Sequence, residues 1–267
     1  VEHTYDTKPM HQGYIEPQSC IASVSDDGQV DLWCCTQAPW VYRDRLTEIL
    51  KLDSSKIRIQ QSELGGGFGG KTTFYTEPVC IALSKKAKAP VKMTLTRTEV
   101  LKATGPVSGT QSRIRMGAKK DGTIVAADAE LIFQTGPYTG SAFVNAPQAM
   151  FTRYELANVK TVSYEVVSNR PKVSSFRAPC VPQVVFGVEG LIDQLAKKCG
   201  MDPLDFRLRN VVQEGDRMPN GVPYPRIGLK EVEEAMKAHP HFSAPLEGPN
   251  RGRGIAVAFR WQGGRGS

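Results

Sequence analysis

The sequence has no long hydrophobic run. No stretch of its 267 residues approaches the roughly 18 consecutive apolar residues that a spanning helix needs. Residues 1–10 also lack the apolar centre of a signal peptide. Membrane insertion and secretion are disfavoured, and a cytoplasmic setting is expected. Metal-ligand spacing is scarce too. The six cysteines, Cys20, Cys34, Cys35, Cys80, Cys180 and Cys199, include no C-x-x-C pair and no matching histidine spacing. Structural zinc is therefore not expected, and neither is an iron–sulfur cluster ligated by this chain. The cysteines are expected to be buried thiols in a reducing compartment. Internal repeats are absent.

What is present is a globular composition, 40% hydrophobic and 23% charged, which excludes general disorder and collagen-like sequence. Thirty-four basic residues against 27 acidic ones give a net charge of +7. Such a balance suits nucleic acid, an anionic cofactor or an acidic partner. The densest clusters, Lys85-Lys86-Ala87-Lys88 and Lys197-Lys198, fall at the ends of expected helices, where cations complement the negative dipole end; no nucleic-acid partner is expected. The length allows one large domain or two small ones, with a sub-boundary placed near residues 170–182. A start at Val1, and a Gly263–Ser267 end directly after the apolar run Gly254 to Trp261, suggest a truncated piece of a longer chain.

Periodicity sets out the elements. Cys20 to Gln37 reads as a hairpin around Ser25-Asp26-Asp27-Gly28. Tyr42 to Leu52 carries Leu46, Ile49 and Leu50 at helical spacing, and Lys56 to Gln60 alternates as a half-buried strand does. A helix is expected at Glu77 to Lys86, with Pro78 in its first turn, and a strand at Val91 to Thr96. Arg113 to Gly117 and Thr123 to Phe133 flank a turn at Lys119–Gly122, a second hairpin. A strand at Val159 to Val167 leads into the loop Asn169 to Pro182. Val184, Val188, Leu191 and Leu195 then mark an amphipathic helix ended by Cys199-Gly200. Asp202-Pro203 starts another helix through about Val212, and Leu229 to Lys237 forms a third. Irregular strand and helix order with several hairpins argues for an α+β fold with mixed and antiparallel sheets and packed helices.

The segment Gly65-Gly66-Gly67-Phe68-Gly69-Gly70-Lys71-Thr72 is the most specific feature. Its glycines let the backbone approach a ligand closely, and successive N–H groups there form an anion-binding nest. Read literally, Gly65–Thr72 satisfies the phosphate-loop pattern, and Ile124–Asp128 mimics an apolar run ending in a magnesium-binding Asp. Context weighs against a nucleotide-binding protein. The preceding strand alternates instead of running continuously apolar. Pro78, six residues after Thr72, would fall inside the second turn of the required helix. Asp128 sits in a hairpin, with no crossover helix expected beside it.

Four stretches together resemble the molybdenum hydroxylases: His11-Gln12-Gly13-Tyr14-Ile15-Glu16-Pro17, Thr36-Gln37-Ala38-Pro39-Trp40, the glycine loop with Lys71, and Ser175-Phe176-Arg177-Ala178-Pro179 through Pro182-Gln183. This family includes xanthine dehydrogenases, aldehyde oxidoreductases and carbon monoxide dehydrogenases, and the match is to the N-terminal part of the molybdopterin-binding subunit. The resemblance implies a molybdopterin-binding domain of the xanthine dehydrogenase type. It implies a molybdenum–molybdopterin cofactor, as the plain pterin or its cytosine dinucleotide. Iron–sulfur clusters and FAD would sit on other domains or subunits, in an oligomeric full-length enzyme.

The implied reaction hydroxylates an aldehyde or N-heterocyclic carbon, a small-molecule substrate, with oxygen from water. Gln37 would approach the metal from its apical side, where an amide can donate a hydrogen bond. Gly66, Gly67, Phe68 and Gly69 would border the cofactor, and Arg177 would project into the cofactor or substrate pocket with Phe68, Thr72 and Pro179. Thr72 replaces the glutamate of xanthine-type enzymes and Pro179 their pocket aromatic, which disfavours purines. Ser174 stands where carbon monoxide dehydrogenases place a copper-binding cysteine, and a hydroxyl is a poor ligand for Cu(I). The family's glutamate base is expected in a segment beyond this sequence. Glu16 and Glu63 are base candidates only by their proximity to the motifs, and a structural role is expected for each. A non-catalytic scaffold of the same fold is the other reading.

Overall fold

Two four-stranded mixed sheets organise the chain in a computed structural model that describes residues 1–258. The end of the Gly254–Trp261 apolar run and the Gly263–Ser267 tail lie outside the described residues. The strands are β1 (Glu2–Thr7), β2 (Ser19–Val24), β3 (Val30–Cys34), β4 (Ile57–Gln61), β5 (Val91–Thr94), β6 (Thr110–Ala118), β7 (Ile124–Gly136) and β8 (Val159–Val167). The helices are α1 (Pro39–Leu50), α2 (Glu77–Ala87), α3 (Arg97–Ala103), α4 (Ala146–Met150), α5 (Val181–Cys199), α6 (Pro203–Asn210), α7 (Leu229–Ala238) and the short α8 (Pro240–Ser243). None of the described helices is long and apolar enough to cross a membrane.

One sheet, in the order β4-β3-β2-β5, grows from the expected hairpin. β2 and β3 pair antiparallel with Ala22 opposite Leu32, and α1 carries the chain across so that β4 lies parallel to β3. Period-two alternation turns Cys20, Ala22, Val30, Leu32 and Cys34 to one face, where Tyr42 and Leu46 of α1 and Cys80 and Ile81 of α2 complete a core. The glycine loop leaves the end of edge strand β4. Five cysteines are buried as expected and Cys199 is half-buried, with no disulfide among the described residues.

The second sheet runs β1-β6-β7-β8, and α5 lies across it. Val184, Val188, Leu191 and Leu195, the stripe read from the sequence, are buried against Ile114, Met116, Ala129, Leu131 and Phe133. Each such side chain contributes about 1.5–3 kcal/mol of hydrophobic stabilisation. Gly200, in the left-handed conformation (φ 67°), closes α5, and the Asp202 carboxylate accepts the Leu204 and Asp205 N–H groups to open α6. The absence of a crossover helix near Asp128 is corrected: β7 pairs in parallel with β8, and a 3₁₀ turn and α4 lie in the connection. Asp128 itself is ion-paired with Arg115 at 2.8 Å on the open face of the sheet.

Candidate cofactor site

The glycine loop is held by side chains distant in sequence. Glu16 Oε2 accepts the Gly65 N–H at 3.0 Å and the Lys71 ammonium at 2.5 Å. Gln37 Oε1 accepts the Gly69 N–H at 2.8 Å and the Lys71 N–H at 3.3 Å, while its own backbone N–H donates to Lys71 O at 2.9 Å. Those bonds orient the amide: its oxygen faces the loop and its NH₂ is turned away from these donors. Inside the loop, Gly70 N–H donates to Gly67 O at 2.8 Å, with Phe68 at φ 53° and Gly69 at φ 100°. Glycine is required at two positions. A Cβ on Gly67 would overlap Gln37 Oε1, and one on Gly69 would lie 2.8 Å from both Cβ and O of Ser175.

The segment before α5 docks on the far side of the loop. Arg177 N–H donates to Phe68 O at 2.9 Å. Gln12, buried, donates through Nε2 to Ser175 O at 2.8 Å and to Gly105 O at 3.1 Å. The structure thus gathers Gln37, Gly66, Gly67, Phe68, Gly69 and Arg177 around one loop. His11 and Tyr14, from the same motif as Gln12, both reach Thr104 Oγ1 at the end of α3, at 2.8 and 3.3 Å. The first motif is therefore a brace for the glycine loop, and Glu16 belongs to that brace. Glu63 is exposed just beyond β4.

The phosphate-loop reading fails on geometry. Lys71 is fully buried, its ammonium bound to Glu16 and 5.0 Å from the centre of the Tyr14 ring. It therefore presents no charge to a phosphate. The next helix starts only at Glu77, so Gly65–Thr72 does not end on a helix N-terminus. The Glu77 carboxylate is buried and accepts the Tyr75 and Thr76 N–H groups at 2.9 and 3.0 Å; burial raises its pKa and those hydrogen bonds oppose the rise.

Two cavities flank the loop and divide the expected pocket residues. Phe68 and Arg177 line one of about 540 Å³ with Lys8, Gln12 and Gln183. Thr72 and Pro179 line another of about 570 Å³ with Arg45, Lys172 and Gln183. In this chain the four residues expected in the substrate pocket thus fall in pairs, Phe68 with Arg177 and Thr72 with Pro179, on the walls of two adjacent cavities. Val107 and Gln183 line both cavities. Sequence reasoning assigned no role to Gln12 or Gln183, although both stand in quoted motifs, and it missed Arg45 and Lys172. Sequence alone carries no signal for Arg45, which lies one helical turn after Val41, another lining residue.

The donor set suits an anionic, hydrogen-bonding group. No acceptor among the described residues takes the N–H groups of Gly66, Gly67 and Phe68, whereas those of Gly65, Gly69 and Lys71 are used internally. Lys8 and Arg177 supply positive charge beside them, with no acidic side chain among the described lining residues. Gln12 Oε1 and Gln183 Oε1 are buried acceptors with no donor among the described residues, a cost of about 1–3 kcal/mol each that a functional site explains. A molybdopterin-type group, with an anionic end and a hydrogen-bonding ring, fits these residues.

Comparison with known proteins agrees. The family model of the molybdopterin cofactor-binding domain matches residues 1–211. The chain is 33% identical over 241 residues to the nicotinate dehydrogenase large molybdopterin subunit of Eubacterium barkeri, covering 89% of this chain and 57% of that one. It is 31% identical over 226 residues to the putative xanthine dehydrogenase molybdenum-binding subunit XdhA of Escherichia coli (strain K12), covering 82% and 30%. The solved aldehyde oxidoreductase from Desulfovibrio gigas superposes with a TM-score of 0.85 at 25% identity, covering 89% of this chain and 27% of that one. The chain spans 57% and 30% of the two curated relatives. With its fold, its loop and a family match across residues 1–211 in agreement, the chain belongs to the molybdopterin cofactor-binding domain family of the molybdenum hydroxylases.

Proposed function

We propose that this chain forms the N-terminal part of the cofactor-binding region of an oxidoreductase that hydroxylates an aldehyde or N-heterocyclic carbon with oxygen from water. The observation that carries the reading is the oriented amide of Gln37. With its oxygen held by Gly69 and Lys71, its NH₂ is presented as a donor beside the loop that Arg177 also abuts. When bound, molybdenum–molybdopterin supplies the activated water and the two-electron sink for RH + H₂O → ROH + 2H⁺ + 2e⁻.

The residues of this chain bind and orient. The loop N–H groups and Arg177 hold the cofactor's anionic end, and the Thr72–Pro179 cavity receives substrate. Thr72 Oγ1 donates to Gly69 O at 2.7 Å, so it steadies the loop and offers no carboxylate to a purine, which favours other substrates. No acidic side chain lines either cavity among the described residues, so a general base from outside them is proposed. Iron–sulfur and flavin domains or subunits would take the electrons. Residues 1–267 alone are proposed to be inactive. Metal analysis of the full-length protein, coexpressed with its partners, tests the reading: bound molybdenum is expected, and its absence retires the enzyme in favour of a scaffold of the same fold.

A further inference from the structure

The Thr72–Pro179 cavity has a mixed lining of apolar and hydroxyl-bearing side chains and two cations that make no ion pair among the described residues. Its lining includes Val41, Phe133, Val173 and Pro179, two cations, Arg45 and Lys172, and no acidic residue among those described. Lys172 is half-buried. Its ammonium donates to Gly140 O at 3.0 Å, Thr135 Oγ1 at 3.3 Å and Val173 O at 3.5 Å, all neutral oxygens. Glu165 acts on Lys172 electrostatically but makes no ion pair with it: its oxygens accept the N–H groups of Gly140 at 2.9 Å and Ser141 at 2.5 Å. Burial holds the Lys172 pKa below the ordinary lysine value, with Glu165 opposing the shift. Arg45 differs from its neighbour Arg43, which pairs with Asp44 at 3.8 Å; no carboxylate lies within ion-pair distance of Arg45 among the described residues.

We infer that this cavity selects an aromatic or heteroaromatic substrate bearing a carboxylate, with Lys172 and Arg45 as the residues that hold the carboxylate and so set which ring carbon is presented. The inference rests on the hydroxylase reading and deepens it by naming the substrate class. A cation already fixed by neutral oxygens loses little freedom on pairing, and an entering carboxylate offsets its partial desolvation. Val41, Phe133, Val173 and Pro179 give the ring apolar contacts, and the hydroxyl-bearing side chains between them offer hydrogen bonds to a ring nitrogen.

The test uses the full-length, partner-assembled protein with its molybdenum content measured, and calorimetric titration with benzoate and its neutral isostere benzamide. Benzoate is expected to bind at least tenfold more tightly. Lys172→Met should remove most of that preference, Lys172→Arg should restore part of it, and Arg45→Met, on an exposed helix face, should weaken benzoate alone. Equal binding of the two probes, or a preference unchanged in both methionine variants, overturns the inference. Those outcomes in molybdenum-loaded protein leave the hydroxylase reading standing. Protein without molybdenum retires that reading and, with it, the substrate meaning of any benzoate preference.

Discussion

The Glu16 carboxylate meets the fully buried ammonium of Lys71 at 2.5 Å and, with the same oxygen, accepts the Gly65 N–H at 3.0 Å. One carboxylate therefore fixes both ends of the glycine loop. Glu16→Gln would leave the Lys71 charge buried with a neutral partner. Breaking a fully buried pair costs about 3–5 kcal/mol, and the partial exposure of Glu16 places this one near 3 kcal/mol. Urea unfolding should show the lower midpoint. The unsubstituted protein should give no heat on titration with ATP and Mg²⁺, because Lys71 is already engaged.

Gly67 and Gly69 test the loop itself. Gly69→Ala puts a Cβ against Ser175 at a φ of 100°, a conformation costing about 1–3 kcal/mol for a residue with a side chain. Gly67→Ala displaces the Gln37 amide without asking for an unusual φ. Both variants should copurify with several-fold less molybdenum than the unsubstituted protein, by elemental analysis. Gln37→Glu separates the two ends of the amide: it keeps an acceptor for Gly69 and Lys71 but loses the NH₂. Its unfolding midpoint should stay near that of the parent while its molybdenum content falls.

Local patterns were legible where one face of an element is apolar. The α5 stripe, both hairpins and the Asp202 cap follow from residue spacing. β1 was not legible, because its exposed strand reads as Glu, His, Thr, Tyr, Asp, Thr, and only Tyr5 packs on the core. Tyr5 fits there because a Cβ on Gly190 would lie 2.7 Å from the Tyr5 hydroxyl, a long-range match that periodicity does not reveal. The loop announced itself by composition, and Gln37 and Arg177 only by family resemblance. Glu16–Lys71, Gln12–Ser175 and the division of the cavities depend on residues 55 to 163 positions apart, or on backbone angles at Phe68 and Gly69. Neither is written in local sequence.

His11 gives the brace a pH dependence. Its Nδ1 accepts the Gly13 N–H at 3.1 Å, so the ring proton sits on Nε2, directed at Thr104 Oγ1, whose own hydrogen goes to Val100 O at 2.6 Å. Burial, and secondarily Arg97, lower its pKa. A histidine depressed in the folded state binds fewer protons there than when unfolded. Its contribution is complete above the unfolded value of about 6.5 and declines as pH falls below it. Stability measured from pH 7.5 to 5 should fall more steeply for the unsubstituted protein than for His11→Gln.

A second buried charge cluster joins α5, α6 and the segment approaching residue 258. Glu189 accepts the Tyr154 hydroxyl at 2.7 Å, Arg153 Nε at 3.3 Å, Arg207 Nε at 3.0 Å and the Val257 N–H at 2.9 Å. Arg153 and Arg207 are both fully buried. Glu189→Gln should cost about 3–5 kcal/mol, because two guanidinium groups lose their shared anion. Arg207→Met should cost less than the sum of separate effects when combined with Glu189→Gln, a coupling that a double-mutant cycle measures.

Glu233 on α7 works in the opposite direction. It is buried, its Oε2 has no donor among the described residues, and burial pushes its pKa up to about 7, with Arg207 opposing and Glu189 adding to the rise. A carboxyl raised in the folded state binds more protons there than in the unfolded chain. Stability is therefore lost as pH climbs from the unfolded value of about 4.5 through about 7. Glu233→Gln removes the charge with little change of shape. It should leave the melting temperature near that of the parent at pH 5 and raise it at pH 8, by an amount on the order of 2 kcal/mol in stability. Equal melting temperatures at pH 8 would show that the folded protein holds the Glu233 carboxylate ionised without penalty.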